Sequence, residues 1–199
     1  MELKLGFLAS HGGSNMSAIL GAIERGELRA TPKIVISNNP NSKALHTARE
    51  KGLPMYCVNG KTEGGDDAAD KRIASLLHHH DVNLVILNGY MKKIGPVTLR
   101  EFEGRILNIH PSLLPKYGGQ GMYGKFVHQA VLDSGDTETG ATIHVIDDEY
   151  DKGNILGQVT VPVLAGDTVD ELAARVMVEE KKLYVRVLQE LKRDEIRLP

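Results

Sequence analysis

The apolar positions of the chain alternate between two periods. Residues 3–9 are β-rich, and residues 15–25 place Met16, Ile19, Leu20 and Ile23 at helical spacing, with a glycine-rich turn between the two segments. Ile34-Val35-Ile36 forms a second apolar strand that stops at Ser37-Asn38-Asn39-Pro40, and a helical stretch follows over 43–51. Strand patterns return at 55–58 and 84–87, separated by a helix over 66–80 with Ile73, Leu76 and Leu77 on one side. Leu84-Val85-Ile86-Leu87 is apolar at every position, the pattern of a central parallel strand covered on both faces. Beyond residue 110 the character changes. Ala141-Thr142-Ile143-His144-Val145 alternates, 155–163 is β-rich again, and 168–193 is a long amphipathic helix opened by Thr168 with Glu171 three residues later, a capping box. The fold class predicted is α/β: a doubly wound, mostly parallel sheet with a β-rich C-terminal portion and a long C-terminal helix. In such sheets ligands sit at the carboxyl ends of the strands. With no internal repeat and no Pro-, Ser- or Gly-rich linker, residues 1–199 read as one domain.

Composition narrows the class of partner. The 199 residues carry 24 Lys and Arg against 26 Asp and Glu, a net charge of −2, which gives neither a nucleic-acid surface nor a polybasic membrane anchor. At 41% hydrophobic and 25% charged the chain is an ordinary globular protein, its core left to Leu, Ile and Val in the absence of Trp. The one cysteine, Cys57, has no internal disulfide partner and reads as a small core residue. No signal peptide opens the chain, and no apolar run reaches the roughly 18 residues of a membrane helix. A cytoplasmic location is therefore expected.

Three stretches carry candidate chemistry. In Ser10-His11-Gly12-Gly13-Ser14-Asn15, between the first strand and the first helix, backbone N–H groups and the side chains of Ser14 and Asn15 suit a phosphate. The same residues suit a tight turn in which Ser or Asn caps the helix. In Asn108-Ile109-His110-Pro111, Asn108 and His110 share one face of a strand that Pro111 ends. An amide donor for an oxyanion and a proton-exchanging imidazole make a small acyl-transfer set, although a lone Asn-x-His also fits a turn bond and a satisfied core histidine. The third stretch, Asp147-Asp148-Glu149-Tyr150-Asp151-Lys152-Gly153, offers a carboxylate that beside His110 would favour the imidazolium; any single acid of it also reads as part of a solvated loop. His78-His79-His80 reads as a helix end, since adjacent helical side chains diverge. Lys92-Lys93 reads as an anion contact or a solvated pair.

Taken together, Gly13-Ser14-Asn15, the string Asn108-Ile109-His110-Pro111-Ser112-Leu113-Leu114-Pro115-Lys116-Tyr117, and Glu149-Tyr150-Asp151-Lys152-Gly153 resemble the phosphoribosylglycinamide formyltransferases, over essentially the whole chain. The resemblance implies transfer of formyl from 10-formyltetrahydrofolate to the amine of glycinamide ribonucleotide, in de novo purine biosynthesis and without a metal. It assigns the ribonucleotide phosphate to Gly13, Ser14 and Asn15, catalysis to Asn108, His110 and Asp151, and the folate to Met91, Lys92, Lys93, Ile94 and Asn108. Glu180 is similar to a late substrate-contacting acid. On this reading 1–110 is the phosphate-binding half and 111–199 the folate-binding and C-terminal half, and the partners are small molecules, bound by a monomer or homodimer.

The chain departs from the family's pattern at three places. Lys92 stands where many relatives have Arg, Gly65-Asp66-Asp67 falls where some carry a base for the folate's glutamyl tail, and the Gly-rich stretch 118–124 is longer. That stretch suits a mobile lid or a surface excursion. Formyltetrahydrofolate hydrolase and methionyl-tRNA formyltransferase share the central string, but the first is expected to carry an extra N-terminal domain and the second a C-terminal domain and a basic surface. A non-catalytic nucleotide-binding module would use the turn alone and leave Asn108, His110 and Asp151 unexplained.

Overall fold

The computed structural model describes residues 2–147, 149 and 151–199. Met1, Asp148 and Tyr150 lie outside the described residues, the last two belonging to the acidic stretch. The chain divides into two compact units, the first ending at Leu107 and the second running from Asn108 to Pro199.

The first unit holds strands β1 (Leu3–Ala9), β2 (Ala30–Ser37), β3 (Met55–Cys57) and β4 (Leu84–Asn88) and the start of β5 (Ile106–His110). Helices α1 (Ser14–Glu24), α2 (Lys43–Glu50), α3 (Gly60–Glu63), α4 (Asp66–His79) and α5 (Pro96–Glu101) connect them. β1 pairs in parallel with β2 on one side and β4 on the other, and β4 pairs in parallel with β5 through Val85–Ile106 and Ile86–Leu107. Every residue of β4 is buried, as its unbroken apolar run predicts. The second unit continues from the end of β5 with α6 (Lys125–Ser134), β6 (Glu138–Val145), β7 (Ile155–Pro162) and α7 (Val169–Lys192). Strand order is β3-β2-β1-β4-β5-β6-β7, with β6 and β7 an antiparallel pair.

α7 shows how sequence pattern becomes packing. Thr168 Oγ1 accepts from the Glu171 N–H and the Glu171 carboxylate accepts from the Thr168 N–H, so the predicted capping box is formed. Leu172, Val176, Leu183, Tyr184, Val187, Leu188 and Leu191 then recur on one face and are buried, each worth about 1.5–3 kcal/mol. Arg175 grips Asp167 through both guanidinium nitrogens at 2.7 Å, which together with the Leu164 N–H holds the Asp167 carboxyl down at about 2.

Two sequence readings are corrected. Cys57 is half-buried, because β3 is an edge strand; it lines a groove of about 450 Å³ with His46, Arg49 and Tyr56. Neither Ser14 nor Asn15 caps α1: the N-cap is Gly13, which makes no side-chain bond, and both residues lie inside the first turn.

Candidate active site

In the first unit, chain connectivity puts two candidate segments at the carboxyl ends of adjacent strands. The glycine-rich turn leaves β1, and Met91–Ile94 follows β4. Gly13 takes φ 73°, a left-handed conformation favouring glycine, and its carbonyl accepts the Ser17 N–H at 2.9 Å to start α1. A side chain there would also be crowded, since a Cβ would stand 3.2 Å from Ala44 Cβ and 3.4 Å from Asn88 Nδ2. The first turn of a helix leaves leading N–H groups without intrahelical acceptors at the positive end of the dipole, with Ser14 half-buried and Asn15 buried beside them. Ser10 links this turn to the second segment: its hydroxyl accepts the Met91 N–H at 2.7 Å and donates to Asn38 Oδ1 at 2.6 Å. Met91, Lys92 and Lys93 are exposed and Ile94 is buried. Just before them, burial, with the charges of Asp70 and Asp66, pushes the Tyr90 hydroxyl up to about 12.

In the second unit, β5 ends at His110 and its alternation puts Asn108 and His110 on one face. His110 Nδ1 lies 3.5 Å from Asp151 Oδ2, and His110 Nε2 lies 2.7 Å from the Tyr117 carbonyl oxygen. Both ring nitrogens thus face oxygens that only accept, an arrangement satisfied by a ring carrying both hydrogens. Asp151 is fixed in turn by the Gly119 N–H, which donates to its Oδ2 at 2.9 Å. Its side chain is only 12% exposed, so the carboxylate acts in a poorly screened environment.

The sequence reading passed over a fourth side chain in this cluster. His144, buried on β6, places Nε2 3.2 Å from Asn108 Nδ2 and 3.5 Å from Asp151 Oδ1. Its Nδ1 lies 3.2 Å from the Val145 carbonyl oxygen, and burial holds its pKa below the ordinary histidine value against the pull of Asp151. The neutral ring that results carries its hydrogen on Nδ1 and accepts the Asn108 amide hydrogen at Nε2. That bond fixes the amide with its NH₂ group toward His144 and leaves the second amide hydrogen for another acceptor. The available signal was polarity at two-residue spacing, Thr142 and His144, within a strand buried over seven of its eight positions. His128 on α6 is a second buried histidine, its pKa lowered by burial and by His110, and its Nδ1 has no hydrogen-bond partner among the described residues.

The structure therefore brings together Asn108, His110 and Asp151 in one unit, and Gly13, Ser14 and Asn15 with Met91 through Ser10 in the other. Glu180 is half-buried on α7, where its charge helps to raise the Tyr184 hydroxyl. The triplet His78-His79-His80 is a helix end, closing α4. Among the described residues no group of three or more His, Cys, Asp or Glu side chains is placed to hold a metal ion, and no helix is long and apolar enough to cross a membrane.

The chain belongs to the formyl transferase family, whose profile matches residues 3–188. Within it, the chain is 42% identical over 188 residues to the chloroplastic phosphoribosylglycinamide formyltransferase of Vigna unguiculata, covering 94% of this chain and 60% of that protein. It is 34% identical over 181 residues to the phosphoribosylglycinamide formyltransferase of Escherichia coli strain K12, covering 91% and 83%. The crystal structure of glycinamide ribonucleotide transformylase 1 from Symbiobacterium toebii matches with a TM-score of 0.92 at 32% identity, over 100% of this chain and 91% of that one. The chain spans about 60% of the length of the Vigna relative.

Proposed function

We propose that this chain transfers the formyl group of 10-formyltetrahydrofolate to the amine of glycinamide ribonucleotide, a step of de novo purine biosynthesis. The observation that carries the reading is the contact of Asp151 with His110 beside Asn108, in a chain whose relatives bear the name of that activity.

On this reading the helix N-terminus at Gly13, Ser14 and Asn15 takes the phosphate of the ribonucleotide, and Glu180 contacts the same substrate. Met91, Lys92, Lys93 and Ile94 take the folate, the lysines offering charge to its carboxylates, with Asn108 at the formyl end. Attack by the amine nitrogen on the formyl carbon places negative charge on the formyl oxygen. Asn108 meets that oxygen with the amide hydrogen His144 leaves free, and the charged His110 ring stabilises it electrostatically. For His110 Nε2 to donate directly, its hydrogen must leave the Tyr117 carbonyl, so rearrangement of the chain from Tyr117 onward belongs to the cycle. Asp151 keeps the imidazolium paired and accepts a proton from the amine through water. The bond between the formyl carbon and N10 of the folate then breaks, that proton passes to N10, and tetrahydrofolate leaves. The 1–110 half holds the phosphate and the 111–199 half completes the folate site, in a cytoplasmic monomer or homodimer.

Loss of 10-formyltetrahydrofolate, followed by absorbance with and without glycinamide ribonucleotide, tests the proposal. Loss that requires the ribonucleotide is expected; equal loss without it would make the chain a hydrolase.

A further inference from the structure

The strip Met91–Ile94, exposed at Met91, Lys92 and Lys93, has no regular secondary structure of its own, yet it is fastened at both ends. At its start the Met91 N–H is held by Ser10 Oγ, itself 1% exposed and bonded onward to Asn38. At its far side the chain enters α5 through Gly95, which supplies no side-chain cap. The cap comes from α4. Asp70 accepts the Val97 N–H at 2.8 Å, the Thr98 N–H at 3.0 Å and the Thr98 hydroxyl at 2.6 Å. Asp70 is 7% exposed and Thr98 1%, so these bonds are shielded from competing water. The fit leaves no slack: a Cβ on Gly95 would fall 2.2 Å from Asp70 Cγ. Gly95 has φ −78°, so what forbids a side chain there is Asp70 and not the backbone conformation.

The Asp70 carboxylate satisfies two of the leading N–H groups of α5 together with the Thr98 hydroxyl. It also fixes the far end of the preceding strip, because six positions separate Met91, held by Ser10, from Val97 (97 minus 91). A strip held in place before its ligand arrives loses less conformational freedom on binding.

We infer that Asp70 is a positioning residue for the formyl donor, holding Met91–Ile94 in its binding conformation from α4 without touching either substrate. The inference rests on the reading of Met91–Ile94 as the folate strip. Ser10 closes the other end, but it borders the phosphate turn and would disturb both substrates, so the test is made at Asp70 and Gly95.

The experiment measures KM for both substrates and kcat in wild type, Asp70→Ala, Asp70→Asn and Gly95→Ala. Binding of folic acid, a stable probe, is titrated in parallel, and thermal melting checks folding. Asp70→Ala and Gly95→Ala are expected to raise the donor KM and the folic acid Kd about tenfold, with the ribonucleotide KM changed less than about twofold. Asp70→Asn, which keeps one carbonyl acceptor, should recover part of the loss. Should Asp70→Ala not fold, Thr98→Val removes one of the three bonds and should give a smaller shift of the same selectivity. Well-folded variants with unchanged donor KM and folic acid Kd, or with both substrates weakened equally, would reduce Asp70 to a helix cap. Failure of wild type itself to consume the donor in a ribonucleotide-dependent way would instead overturn the proposed function.

Discussion

The two units gather polar groups of different chemistry. At the carboxyl ends of β1 and β4, the first unit presents backbone N–H groups, Ser14, Asn15 and a strip tied down by Ser10 and Asp70. Apart from Lys92 and Lys93, its donors are neutral and held in place. At the end of β5 the second unit brings His110 and His144 each to 3.5 Å from Asp151, and adds His128 nearby. Those groups are ionisable, and burial holds the pKa of His144 and His128 below the ordinary histidine value. The contrast teaches that binding and catalysis here should respond to different perturbations: the first region to loss of donors, the second to loss or gain of protons.

The largest effect is expected from the second region. His110→Asn should lower kcat by about 10³- to 10⁴-fold with the donor KM little changed, because it removes a charge used chiefly as the formyl oxygen becomes anionic. Steady-state kinetics on a variant with a wild-type melting temperature checks this. A loss confined to KM would move His110 from the reaction to binding.

The turn should show the converse pattern. Ser14→Ala combined with Asn15→Ala should weaken the ribonucleotide by about 3 kcal/mol or somewhat more, two hydrogen bonds to a charged group, and leave the donor KM nearly unchanged. Isothermal titration with each substrate separates the two; equal losses would make the turn structural.

Titration sharpens the comparison further. Burial holds His144 and His128 below the ordinary histidine pKa of 6.5, so unfolding takes up protons there and the native state is favoured above that value. Stability should fall as pH drops from 6.5 through the lowered native values. His128→Gln should flatten that dependence by a few degrees of Tm in melts between pH 7 and 5. Asp167, depressed to about 2 from 3.8, loses its contribution only below pH 4, so the two windows are distinct. A His128→Gln slope identical to wild type would count against His128 as a neutral buried ring.

Shortening 118–124 should change stability least, since loop closure depends weakly on length. Activity should drop more than Tm, because Gly119 fixes Asp151 and Tyr117 occupies His110. A shortened variant with unchanged kcat and KM would remove any role for the loop as a lid.

What was legible in the sequence was whatever is written within a few neighbouring positions. The apolar run of β4, the same-face spacing of Asn108 and His110, and the Thr168–Glu171 box each depend on local periodicity, and each is formed. Two helices left no such mark. α5 is six residues long and takes its cap from Asp70, 27 positions before Val97. α6 buries only Val127, His128 and Val131, too sparse a stripe to stand out after a Gly-rich loop. The role of His144 was hidden for a similar reason, since one histidine in an alternating strand gains meaning only when β5 and residue 151 are brought beside it. Cys57 was misplaced because pattern does not tell an edge strand from a central one.

The account stands on His110 and Asp151 acting as one unit, although 41 positions separate them (151 minus 110). A double-mutant cycle in kcat with His110→Asn, Asp151→Asn and the pair, each verified by thermal melting, measures that directly. The double variant should be little worse than the worse single one, because removing either member disables the other. Losses that multiply cleanly in well-folded proteins would show two independent residues and contradict the coupled reading.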